Sequence, residues 1–136
     1  MSDSYQIKDQ SAIYFLTFQV VAWVDIFSRK VYRDIIIESL KFCRAHKGLI
    51  LYGYVIMTNH VHIIVRSETG VLSDTMRDFK RFTSRKIMQL IDENSHESRK
   101  KWMQIVFSYH AKYNKRSGNK QFWTHENHAC NWTPMK

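Results

Sequence analysis

Cysteine is nearly missing from this chain: Cys43 and Cys130 are its only two. They are too few and too far apart for a disulfide framework or a cysteine zinc cluster, and read as small, buried or half-buried hydrophobes. Long apolar runs are absent as well; none approaches the roughly 20 residues that a membrane-spanning helix needs. The opening residues, Met1 to Gln6, have neither the positive nor the apolar region of a secretory signal, so a cytoplasmic protein is expected. No repeat or low-complexity tract is visible, and the one proline, Pro134, stands third from the last residue. Acidic residues are scarce, with 12 Asp and Glu against 21 Lys and Arg, for a formal charge of +9 over 136 residues. A chain of that length fits one domain, 1–136, around one core. Its field attracts polyanions, nucleic acid first and an anionic membrane surface second.

What is present is periodic. Residues 13–21 are rich in β-branched and aromatic types without helical spacing, and read as a first strand with both faces largely covered. After a turn around Asp25 to Arg29, Val31, Ile35, Leu40 and Cys43 recur at helical spacing, predicting a helix that closes near Gly48. Leu49 to Met57 and His60 to Ser67 read as two further strands, joined by the pair Thr58-Asn59 in a tight hairpin. From Val71 on, Leu72, Met76, Phe79, Thr83, Ile87 and Leu90 form one helical stripe, with Arg77, Lys80, Arg81, Ser84 and Arg85 off it. Ser73 or Asp74 is placed to cap this basic amphipathic helix. Trp102 to Phe107 predicts a short helix, Tyr113 to Lys120 a basic loop, and Gln121 to Thr124 the start of a fourth strand.

The order β-α-β-β-α, with a last β, is that of an α+β, ferredoxin-like (split βαβ) antiparallel sheet with helices on one face. In an extended strand, successive side chains point to opposite faces, so His60 and His62 project together while Val61, Ile63 and Val65 point into the core. The topology sends the histidines to the open face. Two imidazoles side by side can chelate one divalent ion; they can also sit half-buried, satisfied by hydrogen bonds or water.

Three blocks carry a resemblance: Tyr54-Val-Ile-Met-Thr-Asn-His60-Val-His62-Ile-Ile, Leu72-Ser-Asp-Thr-Met-Arg-Asp-Phe-Lys80-Arg-Phe-Thr-Ser and Gln121-Phe-Trp-Thr-His-Glu-Asn-His128. In order and spacing they resemble REP-associated tyrosine transposases, relatives of the single-tyrosine IS200/IS605 transposases among the HUH endonucleases. The resemblance implies a single-stranded DNA hairpin as partner, and His60 and His62 as catalytic ligands of a divalent ion, Mg2+ or Mn2+. It also implies strand cleavage and rejoining through a phosphotyrosine. Histidine is an unusual partner for magnesium, so phosphate, water and a further protein ligand are expected to complete the shell.

The resemblance is incomplete. The family's tyrosine motif, which lies beyond the Phe-Trp block, has no match after His128, so a chain deficient in cleavage is expected. Tyr113 and Tyr109 are the substitutes if the chain cuts by itself, with a tyrosine supplied by another chain as the third route. Arg77, Lys80, Arg81, Arg85 and Lys86 are candidate phosphate contacts, against the alternative of a solvated helix face. Asn59 either orders the site, reads a base or simply makes the turn. His125, Glu126 and His128 form a second polar cluster, read mainly as exposed. An RNA-binding module of the RRM type is the rival from another class, and would carry aromatic residues on the open face of its central strands. The relatives imply a monomer or a homodimer.

Overall fold

Burial alternates along β1 (Tyr14–Gln19): Tyr14, Leu16 and Phe18 are buried, while Phe15, Thr17 and Gln19 are only half-buried. This is the period of a strand with one face on a core, so the expectation of two covered faces is corrected. The computed structural model describes residues 6–112, 120–125 and 128–131. β2 (Leu49–Ile56) and β3 (His60–Ser67) form the hairpin, and β3 buries Val61, Ile63, Val65 and Ser67 on the same side as Leu16 and Phe18. With β4 (Cys130–Asn131) the sheet runs β2-β3-β1-β4, antiparallel throughout. That is the split βαβ order, with β1 and β3 at the centre.

Two helices seal the apolar face. α1 (Lys30–His46) buries Tyr32, Ile36, Leu40 and Cys43, and α2 (Leu72–Glu93) buries Leu72, Met76, Phe79, Thr83, Ile87 and Ile91. Three- and four-residue steps keep each set on one side of its helix. The ring of Phe18 meets that of Phe79 at 5.5 Å, and each such buried side chain contributes about 1.5–3 kcal/mol. Just past the Lys47 C-cap of α1 stands Gly48, whose φ of +66° suits glycine and where an added Cβ would lie 3.2 Å from the Thr69 methyl.

Several expectations need correction. Ser73 and Asp74 fall inside the first turn of α2 and do not cap it. Gln10 instead reaches across the fold, its Oε1 accepting from Ser73 N at 2.7 Å, and Ser67 Oγ accepts from Val71 N at 3.1 Å. The short helix at Trp102 is one part of α3 (Lys100–Lys112). The fourth strand is not Gln121 to Thr124, where only Trp123 bridges to Val20. Phe122 and Trp123 are both buried, and consecutive buried side chains cannot belong to a strand with one covered face.

Glu97 is buried between these elements. Tyr32 Oη donates to it at 2.8 Å, and Arg29 Nε pairs with it at 3.2 Å. Burial, and then the Glu97 carboxylate beside it, push the Tyr32 hydroxyl up to about 12.

Candidate functional site

The central strand pair builds the site. Antiparallel register sets Thr17 opposite His62 and Gln19 opposite His60, so four polar side chains share the face turned away from α1 and α2. The His60 and His62 rings lie 4.7 Å apart at 76°, and Phe15 stacks on His62 at 5.1 Å. Each imidazole is oriented through Nδ1: His60 by Asn59 Oδ1 at 2.7 Å, His62 by Thr17 Oγ1 at 2.9 Å. A carboxamide oxygen only accepts, so it sets the proton on Nδ1 of His60 and leaves the Nε2 lone pair available. Thr17 does the same for His62 when its hydroxyl oxygen accepts. Burial, and then the neighbouring His60, hold the His62 imidazole below its ordinary pKa, which favours the neutral form a metal requires.

The hairpin turn is clamped from outside. Met57 N donates to His60 O at 2.8 Å, closing a two-residue turn over Thr58 and Asn59, and neither residue takes a positive φ. Thr58 O accepts from Phe27 N at 2.9 Å; Asn59 O accepts from Val20 N and Gln19 Nε2, both at 3.0 Å. These bonds substitute for the Asn-Gly chemistry that a free hairpin would use. They also fix Asn59 where its side chain can hold His60. Asn59 is thus a turn residue whose side chain also contacts the His60 ring.

Comparison with known proteins decides the family: the sequence model described as "Transposase IS200 like" matches residues 10–120. The chain belongs to the IS200-like transposase family. Its fold is shared with a Deinococcus radiodurans protein assigned as a transposase, at 16% identity and TM-score 0.57, over 100% of this chain and 86% of that one. It is shared as well with a REP-associated tyrosine transposase bound to a REP hairpin, at 13% identity and TM-score 0.51, over 92% and 83% of the two chains. No curated protein sequence matches the chain. Family membership displaces the RNA-binding rival; Phe15 does lie on the open face of a central strand, but against His62.

In this IS200-like chain the basic residues of α2 do not converge with the histidines. α2 covers the opposite face of the sheet, and Arg81 and Arg85 are exposed, about half a helical turn from buried Phe79 and Thr83. Lys86 is exposed too, and Arg77 pairs with Asp74 at 3.2 Å and Asp78 at 3.5 Å. Lys80 departs from the expected solvent-facing role. Its Nζ donates to Thr124 O at 2.9 Å and lies 5.7 Å from the Phe18 ring centroid, and burial pulls its pKa down to about 8. Because Thr124 N in turn donates to Gln19 O, Lys80 ties α2 to the histidine end of the sheet.

Tyr109 lines a shallow groove on α3 with Lys101, Gln104, Ile105, Ser108 and Lys112, none of them a residue of the histidine site. Tyr113 and Glu126 lie outside the described residues. Among the described residues no group of three His, Cys, Asp or Glu side chains is placed to hold a metal, so His125 and His128 do not complete a cluster there. Thr17 and Gln19 were missed by reading the sequence. Their signal was present as two polar residues at alternate positions of an otherwise apolar strand.

Proposed function

We propose that the chain binds hairpin-forming single-stranded DNA at the open face of its sheet and holds a divalent metal ion there through His60 and His62. The observation that carries this reading is the pair of imidazoles, each engaged at Nδ1 and oriented by a neighbour, the arrangement in which Nε2 serves a metal. The donor set fits an ion in part: two nitrogens suit Mn2+ better than Mg2+, and the remaining positions suit water and a phosphate oxygen. When bound, such an ion polarises the phosphodiester and offsets charge developing on it. The chain's own residues supply the orientation. Thr17 and Asn59 fix the rings, and Phe15 covers one side of His62. The net charge of +9 and the hairpin held by the fold neighbour support the ligand class.

We infer that the chain alone binds without cutting. Among the described residues Tyr14 and Tyr32 are buried, Tyr54 is exposed but sits opposite Ile63 on the helix-covered face, Tyr52 lies against Arg66, and Tyr109 is on α3; Tyr5 and Tyr113 lie outside the described residues. The test is a labelled hairpin with unpaired flanks, incubated with Mn2+. A retarded complex with intact DNA is expected, weakened when His60→Ala and His62→Ala are combined and the metal is limiting. A covalent protein–DNA band lost in Tyr113→Phe or Tyr109→Phe would overturn the second half of the proposal. Unchanged Mn2+ affinity in the double alanine variant would overturn the first.

A further inference from the structure

Just beyond β1 the chain makes a turn whose residue types suit neither the turn nor its surroundings. Ala22 and Trp23 take φ of +53° and +58°, the left-handed region where glycine or asparagine is at ease and other residues are strained. Trp23 is also 70% exposed, the most exposed large apolar side chain among the described residues. The backbone around it is over-determined. Val20, Val21 and Val24 are buried, Val20 N donates to Asn59 O, Val21 N to Phe122 O at 2.9 Å, and Trp23 N back to Val20 O at 3.2 Å. A side chain that stabilised the fold would be buried, and a turn chosen for itself would carry glycine. Strain maintained by its surroundings is characteristic of a functional position.

The geometry points to Trp23 as a stacking platform for an unpaired base of the DNA strand that enters the histidine site. This inference rests on the single-stranded DNA reading above. The turn is bonded to Asn59, the residue that orients His60, and Trp23 stands four residues past Gln19, the partner of His60, within at most about 14 Å of chain. α3 packs against this turn and, from Lys100 to Lys112, carries Lys100, Lys101, His110 and Lys112 with no acidic residue. The carboxylate nearest in sequence, Asp25, is engaged by Arg99. An exposed aromatic on a turn bonded to the histidine strand, in a chain of net charge +9, suits a base more than it suits an apolar protein pocket. Stacking on an aromatic face accepts every base and contributes affinity without reading sequence.

The experiment measures the affinity of the full chain for a labelled hairpin with unpaired flanks, using wild type, Trp23→Ala, Trp23→Phe and Trp23→Gly. Each is repeated on a series of oligonucleotides carrying one abasic position. Trp23→Ala is expected to weaken binding about 5- to 150-fold with the salt dependence unchanged, and Trp23→Phe to keep most of the affinity. At one flanking position, loss of the base should abolish the difference between wild type and Trp23→Ala. Trp23→Gly should bind as weakly as Trp23→Ala while melting no lower than wild type, because it relieves the left-handed strain. If wild type binds the hairpin and every Trp23 variant binds equally, the platform is wrong and the DNA reading stands. Loss at all positions alike, with a lowered Tm in Trp23→Gly, makes Trp23 structural and overturns the inference. If wild type binds no single-stranded DNA, both fall.

Discussion

Thr17→Val tests whether the sheet, and not the histidines alone, makes the metal site. The change exchanges a hydroxyl for a methyl at nearly constant volume on a central strand. Thr17 Oγ1 lies 2.9 Å from His62 Nδ1, and after its removal only ring contacts, with His60 at 4.7 Å and Phe15 at 5.1 Å, hold that imidazole in place. Nδ1 then faces a methyl group, and the ring gains by turning or by moving its proton to Nε2, the atom the metal needs. Loss of such an orienting partner costs about 10- to 100-fold in metal affinity, equivalent to about 1.4–2.8 kcal/mol. Fold stability should change by less than about 1 kcal/mol, because the half-buried hydrogen bond contributes roughly 0.5–1.5 kcal/mol and valine regains part of it as a strand former. Titration of Mn2+ by calorimetry, paired with thermal melts, separates the two effects. If Thr17→Val binds Mn2+ as tightly as wild type while His62→Ala does not, the hydroxyl does not orient the ligand and the argument from cross-strand register is wrong.

Charge reversal at Arg81 and Arg85 should weaken hairpin binding and flatten its salt dependence if DNA reaches round to the helix face; an unchanged slope removes α2 from the interface. Tyr32 is titratable above neutrality: its folded pKa, about 12, lies above the ordinary 10.0, so the folded state binds the extra proton in that window. Stability should therefore be level below pH 10 and fall between pH 10 and 12, by about 1–2 kcal/mol more in wild type than in Tyr32→Phe, read from urea melts as a function of pH. Equal alkaline slopes in the two proteins would refute this. Ile63→Ala, at a fully buried position of β3 beneath the helices, should cost about 2–5 kcal/mol without changing which face carries the histidines. A loss below about 1 kcal/mol would mean that the core there is loosely packed.

Period is a local property of the backbone, and much of what depends on it was legible in the sequence, although the one-sided alternation of β1 was overlooked. Alternation put His60 and His62 on one face and Val61, Ile63 and Val65 on the other, and three- and four-residue spacing marked the buried stripe of α2 from Leu72 to Ile87; on α1 it marked Leu40 and Cys43 but missed Tyr32, and Val31, read as part of the stripe, is exposed. The succession of strands and helices then limited the sheet to few orders, of which β2-β3-β1-β4 is the one adopted. Register, crossings and the ends of long side chains depend on contacts between distant segments, and only the tertiary structure decided those. It placed Thr17 opposite His62, brought Gln10 to the start of α2, and drew Lys80 away from solvent onto Thr124. It also moved the fourth strand from the Phe-Trp block to Cys130–Asn131, because two consecutive aromatics were needed in the core. The histidine pair was legible because two residues suffice to define it; the groups that make it a site come from strands and turns that meet only on folding.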